Sequence, residues 1–514
     1  MANPVSNTLR KSVHTVDRTA LILILVLSLV ILFFLLKGDR TAARVRDFSW
    51  QGRQVGAEDS AFILTFSRPM DQVSVEQNLQ LEPPLPGKFS WAGRRMAYTL
   101  ETPAPYGQTF EVRLDAARDR LSQWEDSHTQ IQPFTGQFQT RDRAFVYLGV
   151  QGEESGRLVL QNLTRQQKQI LTPENLNVID FKPYPEGDRI LFSATERTSD
   201  PRALLDQQLY SVTTGIHLQS PATTPGQLNK APSPQPSADQ PAGTIERVLD
   251  NKDYQNLKFD LSPDGQTIAV QRINKQQQFA NVELWILQAG QPPKPLETQG
   301  GGEFLIAPDS QSLAMLQGQG TAILSFESGA EPLDFLPKYG LILNFANDGT
   351  AAAMVKFNTD PKNPTRSLFL VTNQGTEKEL LKTNGSILNA QFDPMKQTLY
   401  CLYTTLVSGS PEDAYLEQPY LSGINLETGK RVDLLELPRQ QDIQISLAPD
   451  GLGILFDQAV ADGTGTGVVR GRDGRAIANS QLWFLPLRFD NTGIPAQTQP
   501  QELEISGLRP RWLP

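Results

Sequence analysis

Hydrophobic positions along the chain follow three different rhythms. Residues 20–36 read ALILILVLSLVILFFLL, an apolar run whose polar exception is Ser28. A helix of that length spans roughly 25 Å, at the short end for a hydrocarbon core of about 30 Å, and Thr19 and a snorkelling Lys37 can extend it. The run predicts an uncleaved transmembrane helix. A cleaved signal peptide would carry a shorter apolar region with a small-residue site close behind, whereas Lys37, Asp39 and Arg40 intervene before Thr41-Ala42-Ala43. Basic residues flank the run on both sides (Arg10, Lys11, Arg18; Lys37, Arg40, Arg44, Arg46), so charge bias does not set the orientation. Signal-anchor placement near the start predicts residues 1–19 as a cytoplasmic tail and the bulk of the chain as extracytoplasmic.

From residue 46 to 140 the pattern becomes short alternating segments. Phe62-Ile-Leu-Thr-Phe66 is strand-like, and Pro69, which cannot donate to a ladder, ends it in a turn. Further strands are predicted at Leu79–Leu81, Lys88–Trp91, Met96–Leu100, Phe110–Leu114 and Gln132–Gln139. Pro83-Pro84, Pro86-Gly87, Ala92-Gly93 and Pro105-Tyr106-Gly107 separate them. Short strands so closely spaced predict a β-sandwich. The series Phe66-Ser-Arg-Pro-Met-Asp71, Leu81-Glu-Pro83, Tyr98-Thr-Leu100, Pro105-Tyr-Gly-Gln-Thr-Phe110 and Phe138-Gln-Thr140 resembles the bacterial SbsA-type Ig-like domain.

From about residue 141 to 514 one string recurs: apolar-x-Pro-Asp-Gly-x-x-apolar-Ala-apolar. It is clearest in Leu261-Ser-Pro-Asp-Gly-Gln-Thr-Ile-Ala-Val270 and Ile306-Ala-Pro-Asp-Ser-Gln-Ser-Leu-Ala-Met315. Further copies are Phe345-Ala-Asn-Asp-Gly349, Phe392-Asp-Pro-Met-Lys-Gln-Thr-Leu-Tyr400, Leu447-Ala-Pro-Asp-Gly451 and, more loosely, Phe181 to Phe192. Each is a hairpin: one strand enters, Pro presets the turn, Asp-Gly closes it, and a second strand leaves. Two more strands follow, as in Val282-Glu-Leu-Trp-Ile-Leu287, so each repeat makes a four-stranded sheet that needs neighbours to bury its faces. The string resembles the TolB-type, WD-related propeller repeat, with Leu or Phe where that family has Trp. The resemblance implies an all-β architecture with a propeller after the anchor and the sandwich.

Residues 144–171 look like a blade lacking its first strand, and Leu508-Arg-Pro-Arg-Trp-Leu-Pro514 looks like that missing strand. Joining them closes the ring and removes free edges. Six internal copies plus the shared one predict seven blades, or six if the degenerate copy at Phe345 forms none. Ser220 to Gly243, rich in Pro, Ser, Gln and Thr, is expected as a disordered insertion (220–243) between blades, and Ala459 to Asn479 as a long hairpin loop in the last blade.

Composition alters this picture little. Hydrophobic residues make up 39% and charged residues 20%, as in folded domains, and the net charge of -9 argues against a nucleic-acid partner. Cys401, the sole cysteine, rules out an intrachain disulfide and reads as a buried strand residue. His14, His128 and His217 are scattered without ligand spacing, no G-x-S-x-G occurs, and Gly463-Thr-Gly-Thr-Gly467 lacks the dinucleotide register. The Asp-Gly pairs at 264–265, 348–349 and 450–451 read as turn chemistry rather than calcium sites. Arg470, Arg472 and Arg475 form a basic cluster on a loop, and Trp50, Trp91 and Trp124 read as sandwich core, glycan contact being the alternative.

No catalytic, cofactor-binding or metal-ligating residue is thus assigned, and no cofactor is implied. The expected protein is a membrane-anchored envelope (periplasmic) scaffold. It would bind the membrane through residues 20–36 and a protein or glycan partner through the propeller, with the Ig-like unit as spacer. Two alternatives stay open: a propeller hydrolase or lyase acting on envelope glycans through paired channel carboxylates, and a structural wall-binding protein.

Overall fold

The computed structural model describes residues 15–37, 42–120, 130–197, 206–216, 240–277, 281–298, 301–327, 329, 332–358, 360, 362, 364–407, 416–439, 442–461, 469–470, 476–490 and 493–514. The predicted histidines at 14, 128 and 217, Trp124, the glycine run 463–467, Arg472, Arg475, and all but the last residues of the 220–243 insertion lie outside them.

Helix α1 (Thr15–Lys37) contains the apolar run, and its large apolar side chains from Leu21 to Phe33 are exposed. Among the described residues no helix is long and apolar enough to cross a membrane. The side chains of 34–36, the end of the expected span, lie outside those residues. The transmembrane helix expected at 20–36 is therefore not established by the fold.

Eight strands then build a sandwich. One sheet runs Val45–Phe48, Ala61–Phe66, Arg95–Leu100, Gly87–Ala92; the other runs Gln54–Val55, Phe134–Thr140, Thr109–Leu114, Leu79–Glu82. Alternation decides which side chains go inside: in Ala61–Phe66, Phe62, Leu64 and Phe66 are buried and their neighbours are not. Trp50 is 1% exposed, its ring 4.9 Å from Phe138 and 5.5 Å from Phe62. Trp91 stacks 6.0 Å from Phe66 and donates its Nε1 hydrogen to Glu76. Both tryptophans therefore serve packing. Two short strands at 45–48 and 54–55 and a second helix, α2 (Gln72–Asn78), capped where Asp71 accepts from Ser74 N at 3.0 Å, add to the strands expected from the sequence.

The rest of the described chain forms seven four-stranded sheets and one two-stranded hairpin, Arg488–Phe489 with Pro495–Ala496. In chain order the first strands of blades 2 to 7 are Leu176–Pro183, Tyr254–Leu261, Phe304–Ile306, Leu341–Phe345, Ile387–Phe392 and Ile445–Leu447. Blade 1 combines Ala144–Gly149, Leu158–Asn162 and Gln167–Ile170 with the C-terminal strand Gly507–Trp512. First strands touch first strands around an axis: Lys182 pairs with Asp260, Asp260 accepts from Ile306 N at 2.8 Å, and Gln391 bridges to Ile445 O and Leu447 N at 3.0 and 2.8 Å. The molecule carries a seven-bladed β-propeller, and the degenerate copy at Phe345 does form a blade. The 220–243 insertion joins the third and fourth strands of blade 2 rather than two blades. A turn at the end of a sheet can lengthen without disturbing pairing on either side.

The repeated turn explains its own sequence. Gly187, Gly265, Gly349 and Gly451 hold φ between 68° and 72°, and Ser310 and Lys396 occupy the same place at 58° and 54°. A non-glycine there costs about 1 kcal/mol. In both cases a bond to the preceding blade's turn offsets the cost: Ser310 Oγ accepts from Asp264 N at 3.2 Å, and Lys396 Nζ donates to Asp348 at 2.6 Å.

Closure follows the sequence expectation. Leu508 lies opposite Leu148 and Trp512 opposite Phe145, with Leu513 N donating to Ala144 O at 2.9 Å. Asp457 of blade 7, fully buried, accepts from Gln444 N and from Arg509 N, each at 2.7 Å. Burial pushes its carboxyl up to about 7; the two N–H groups and Arg509 pull downward and Asp442 pushes upward. Its unfolded value is near 3.9, so its contribution is complete below about pH 4 and is lost as pH rises to 7. Asp457→Asn should flatten that slope: wild type minus variant, compared by denaturant unfolding between pH 5 and 8, should fall with rising pH. A difference that does not change would contradict this seam.

Candidate functional site

The first strands do not alternate cleanly, which is why the channel-facing residues could not be read from sequence. Those of blades 1, 2, 3, 5 and 6 each contain a register shift, at Leu508/Arg511, Val178/Asp180, Asn256/Phe259, Ile342/Asn344 and Ile387/Asn389. Each bulge reverses the side-chain parity beyond it.

The resulting axis has two unlike sides. Toward blades 7 and 1 to 3 it is ionic: Lys182 pairs with Asp260, and Arg509 of blade 1 lies 3.8 Å from Asp442 at the entry to blade 7. Toward blades 4 to 6 it is aliphatic. A cleft of about 330 Å³ there is lined by Leu305, Leu316, Leu341, Leu343 and Leu388, with Lys258 and Glu303 at its rim. Lys258 Nζ donates to Glu303 and lies 5.3 Å from the centre of the Phe304 ring. Among the described residues Glu303 is the one carboxylate lining the cleft, and it is engaged by a cation. The walls supply leucine side chains, more of the exposed lining is polar than apolar, with Lys258, Glu303 and Thr321 among it, and the rim supplies one oriented ion pair. That arrangement suits recognition of a segment that presents aliphatic groups together with hydrogen-bonding ones.

The cleft opens on a definite face. Glu303, Leu341 and Leu388 lie at or near the starts of first strands, and Leu316 and Thr321 flank the turn between the second and third strands of blade 4. The Pro-Asp-Gly turns lie at the other ends of the same strands, and that is where the sandwich docks. Asp450 in the blade 7 turn accepts from Tyr106 N at 3.0 Å and pairs with Arg143. Arg141 donates to Pro185 O in the blade 2 turn at 3.4 Å. The cleft therefore faces away from the sandwich.

The Asp-Gly turns hold themselves together. Asp264 accepts from Ser262 Oγ (2.6 Å) and Gln266 N (3.0 Å), Asp309 from Gln311 N (2.9 Å), and Asp348 from Thr350 N (3.0 Å). Among the described residues no group of three or more His, Cys, Asp or Glu is placed to hold a metal ion. Cys401 is buried in Thr398–Leu406, and burial raises its thiol to about 12. Arg470 lies beside Ala476, to which it is bridged.

No family model and no curated protein matches the chain. Solved structures that resemble it include TolB from Acinetobacter baumannii, 12% identical over 80% of this chain and 81% of that one, with a TM-score of 0.38. An oligogalacturonate lyase from Vibrio parahaemolyticus is 10% identical over 62% and 87%, with a TM-score of 0.41. Kuenenia stuttgartiensis hydrazine synthase is 10% identical over 55% and 76%, at 0.34. Likeness this distant transfers no ligand or activity; the propeller stands on strand order and register alone.

Proposed function

We propose that this is a single-pass envelope protein whose propeller is a binding scaffold. Residues 1–19 lie in the cytoplasm and 20–36 anchor the chain in the membrane. Residues 46–140 form an Ig-like spacer of the SbsA type, and 141–514 a TolB-type propeller on the extracytoplasmic side. The exposed leucines and isoleucines of α1 support the anchor. The observation that carries the binding role is the leucine-lined cleft on the face turned from the sandwich, which would point away from the membrane.

The partner presents aliphatic side chains, as a protein segment or an apolar ligand. A photo-crosslinker at Glu303 in the full chain should capture it from envelope extract, and the same group at Leu333 on the outside of blade 4 should not. Leu388→Asp should cut capture at Glu303 by about tenfold or more, as for a central apolar contact. Equal capture at Leu333, or capture indifferent to Leu388→Asp, would overturn the assignment.

A further inference from the structure

A second cleft lies off the axis, on the same face, at the seam of blades 2 and 3. It measures about 410 Å³ and is lined among others by Arg247, Asp250, Asp253, Tyr254, Arg272 and Trp285. Its floor is a stack. The Arg272 guanidinium lies 4.5 Å from the Tyr254 ring centre and 5.1 Å from that of Trp285, and the two rings meet edge to face at 5.1 Å. Arg272 is 5% exposed, yet among the described residues none of its hydrogen bonds is to a carboxylate: Nε donates to Asn256 Oδ1 at 3.0 Å and Nη2 to Asp250 O at 3.3 Å. The fold thus spends a buried cation on orienting two half-buried aromatic rings that line an open cleft. Trp285 Nε1 donates to Glu283, which fixes that ring further.

The charges bordering the stack cancel. Arg247, Arg272 and Lys252, which lies 3.9 Å from Asp250, stand against Asp250, Asp253 and the Glu283 that holds Trp285, so a strongly anionic ligand meets the carboxylates and a strongly cationic one meets the cations. What remains is a neutral molecule rich in groups that both donate and accept, with a polarised C–H face to lie against the electron-rich rings. Those are the properties of a sugar ring. Vicinal hydroxyls would donate to Asp250 and Asp253 and accept from Arg247 and Arg272.

We propose that this cleft binds a neutral saccharide unit, independently of the leucine-lined cleft. The site uses residues from four strands and the loop 250–253 within one seam, and none of the six residues named here lines the axial cleft.

The test uses the full chain in lipid nanodiscs, titrated calorimetrically with cellobiose, maltose and N,N′-diacetylchitobiose, with digalacturonate and inorganic phosphate as charged controls. At least one neutral disaccharide should bind with millimolar or tighter affinity. Asp253→Ala, which alters an exposed side chain, should weaken it about tenfold, and Trp285→Ala should abolish it. Leu388→Asp should leave it intact. If Trp285→Ala fails to fold, Arg247→Ala, another exposed position, takes its place with the same expected weakening. Absence of binding by all three neutral sugars, preference for a charged control, or affinity unchanged by Asp253→Ala would each overturn the proposal.

Discussion

A chain that stops at Ser506 is expected to lose its cooperative unfolding transition and to be digested by protease at temperatures where the intact chain resists. The missing strand buries Leu508, Trp512 and, just beyond it, Leu513, at 2%, 6% and 3% exposure. Burial of side chains of that size contributes about 1.5–3 kcal/mol each, or roughly 5–9 kcal/mol together. A folded domain is stable by about 5–15 kcal/mol in total. The loss is therefore of the order of the whole margin. It also opens Ala144–Gly149 as an unpaired edge beside Phe145, whose ring lies 5.5 Å from that of Trp512. Circular dichroism melts and limited proteolysis of the two chains decide the matter. An unchanged melting temperature would mean that the ring is not sealed by its tail.

The second large effect is expected at Asp450. Its carboxylate is 4% exposed as a residue and serves two units at once. Within its own turn it accepts from Leu452 N at 3.1 Å, and across the junction it accepts from Tyr106 N and pairs with Arg143. Asp450→Ala leaves a buried N–H and a partly buried guanidinium without their acceptor, at a cost of about 2–3 kcal/mol. Asp264 occupies the same motif position in blade 3, but among the described residues its side chain bonds only to Ser262 and Gln266 of its own turn. Asp264→Ala should cost about 1 kcal/mol. Denaturant unfolding should therefore separate the two variants by more than 1 kcal/mol, and the sandwich should detach as a separate transition only in Asp450→Ala. Equal costs would show that the junction does not depend on this carboxylate.

That contrast also shows how far the sequence could be read. The Asp-Gly hairpins were visible because turn geometry is local: the left-handed residue and the aspartate that caps it lie within a few positions. The closing strand was visible because an unmatched start and an unmatched end complement one another. The tie between Tyr106 and Asp450 joins residues 344 positions apart, and the motif reads the same whether or not it is used this way. The axial cleft was hidden for another reason. Bulges in five first strands shift the alternation by a residue, so Leu341, Leu343 and Leu388 could not be assigned to a side. Helix α2 gave no periodic signal: Val75 is its buried residue and Val73 is 61% exposed. Tyr254, Arg272 and Trp285 sit on three different strands, and register alone brings them together.

Sealing the ring with the last strand also sets an order of events during synthesis. Blades 2 to 7 have all their strands once Glu502 has been made, but blade 1 waits with three strands until Trp512 emerges. A polypeptide made from its N-terminus would thus carry an incomplete sheet, next to the sandwich, while blades 2 to 7 are being made. Folding into the final toroid would become a single late event that waits for Gly507–Trp512, and anything that stalls synthesis before that strand would leave Phe145 and Tyr147 available to other unfinished chains.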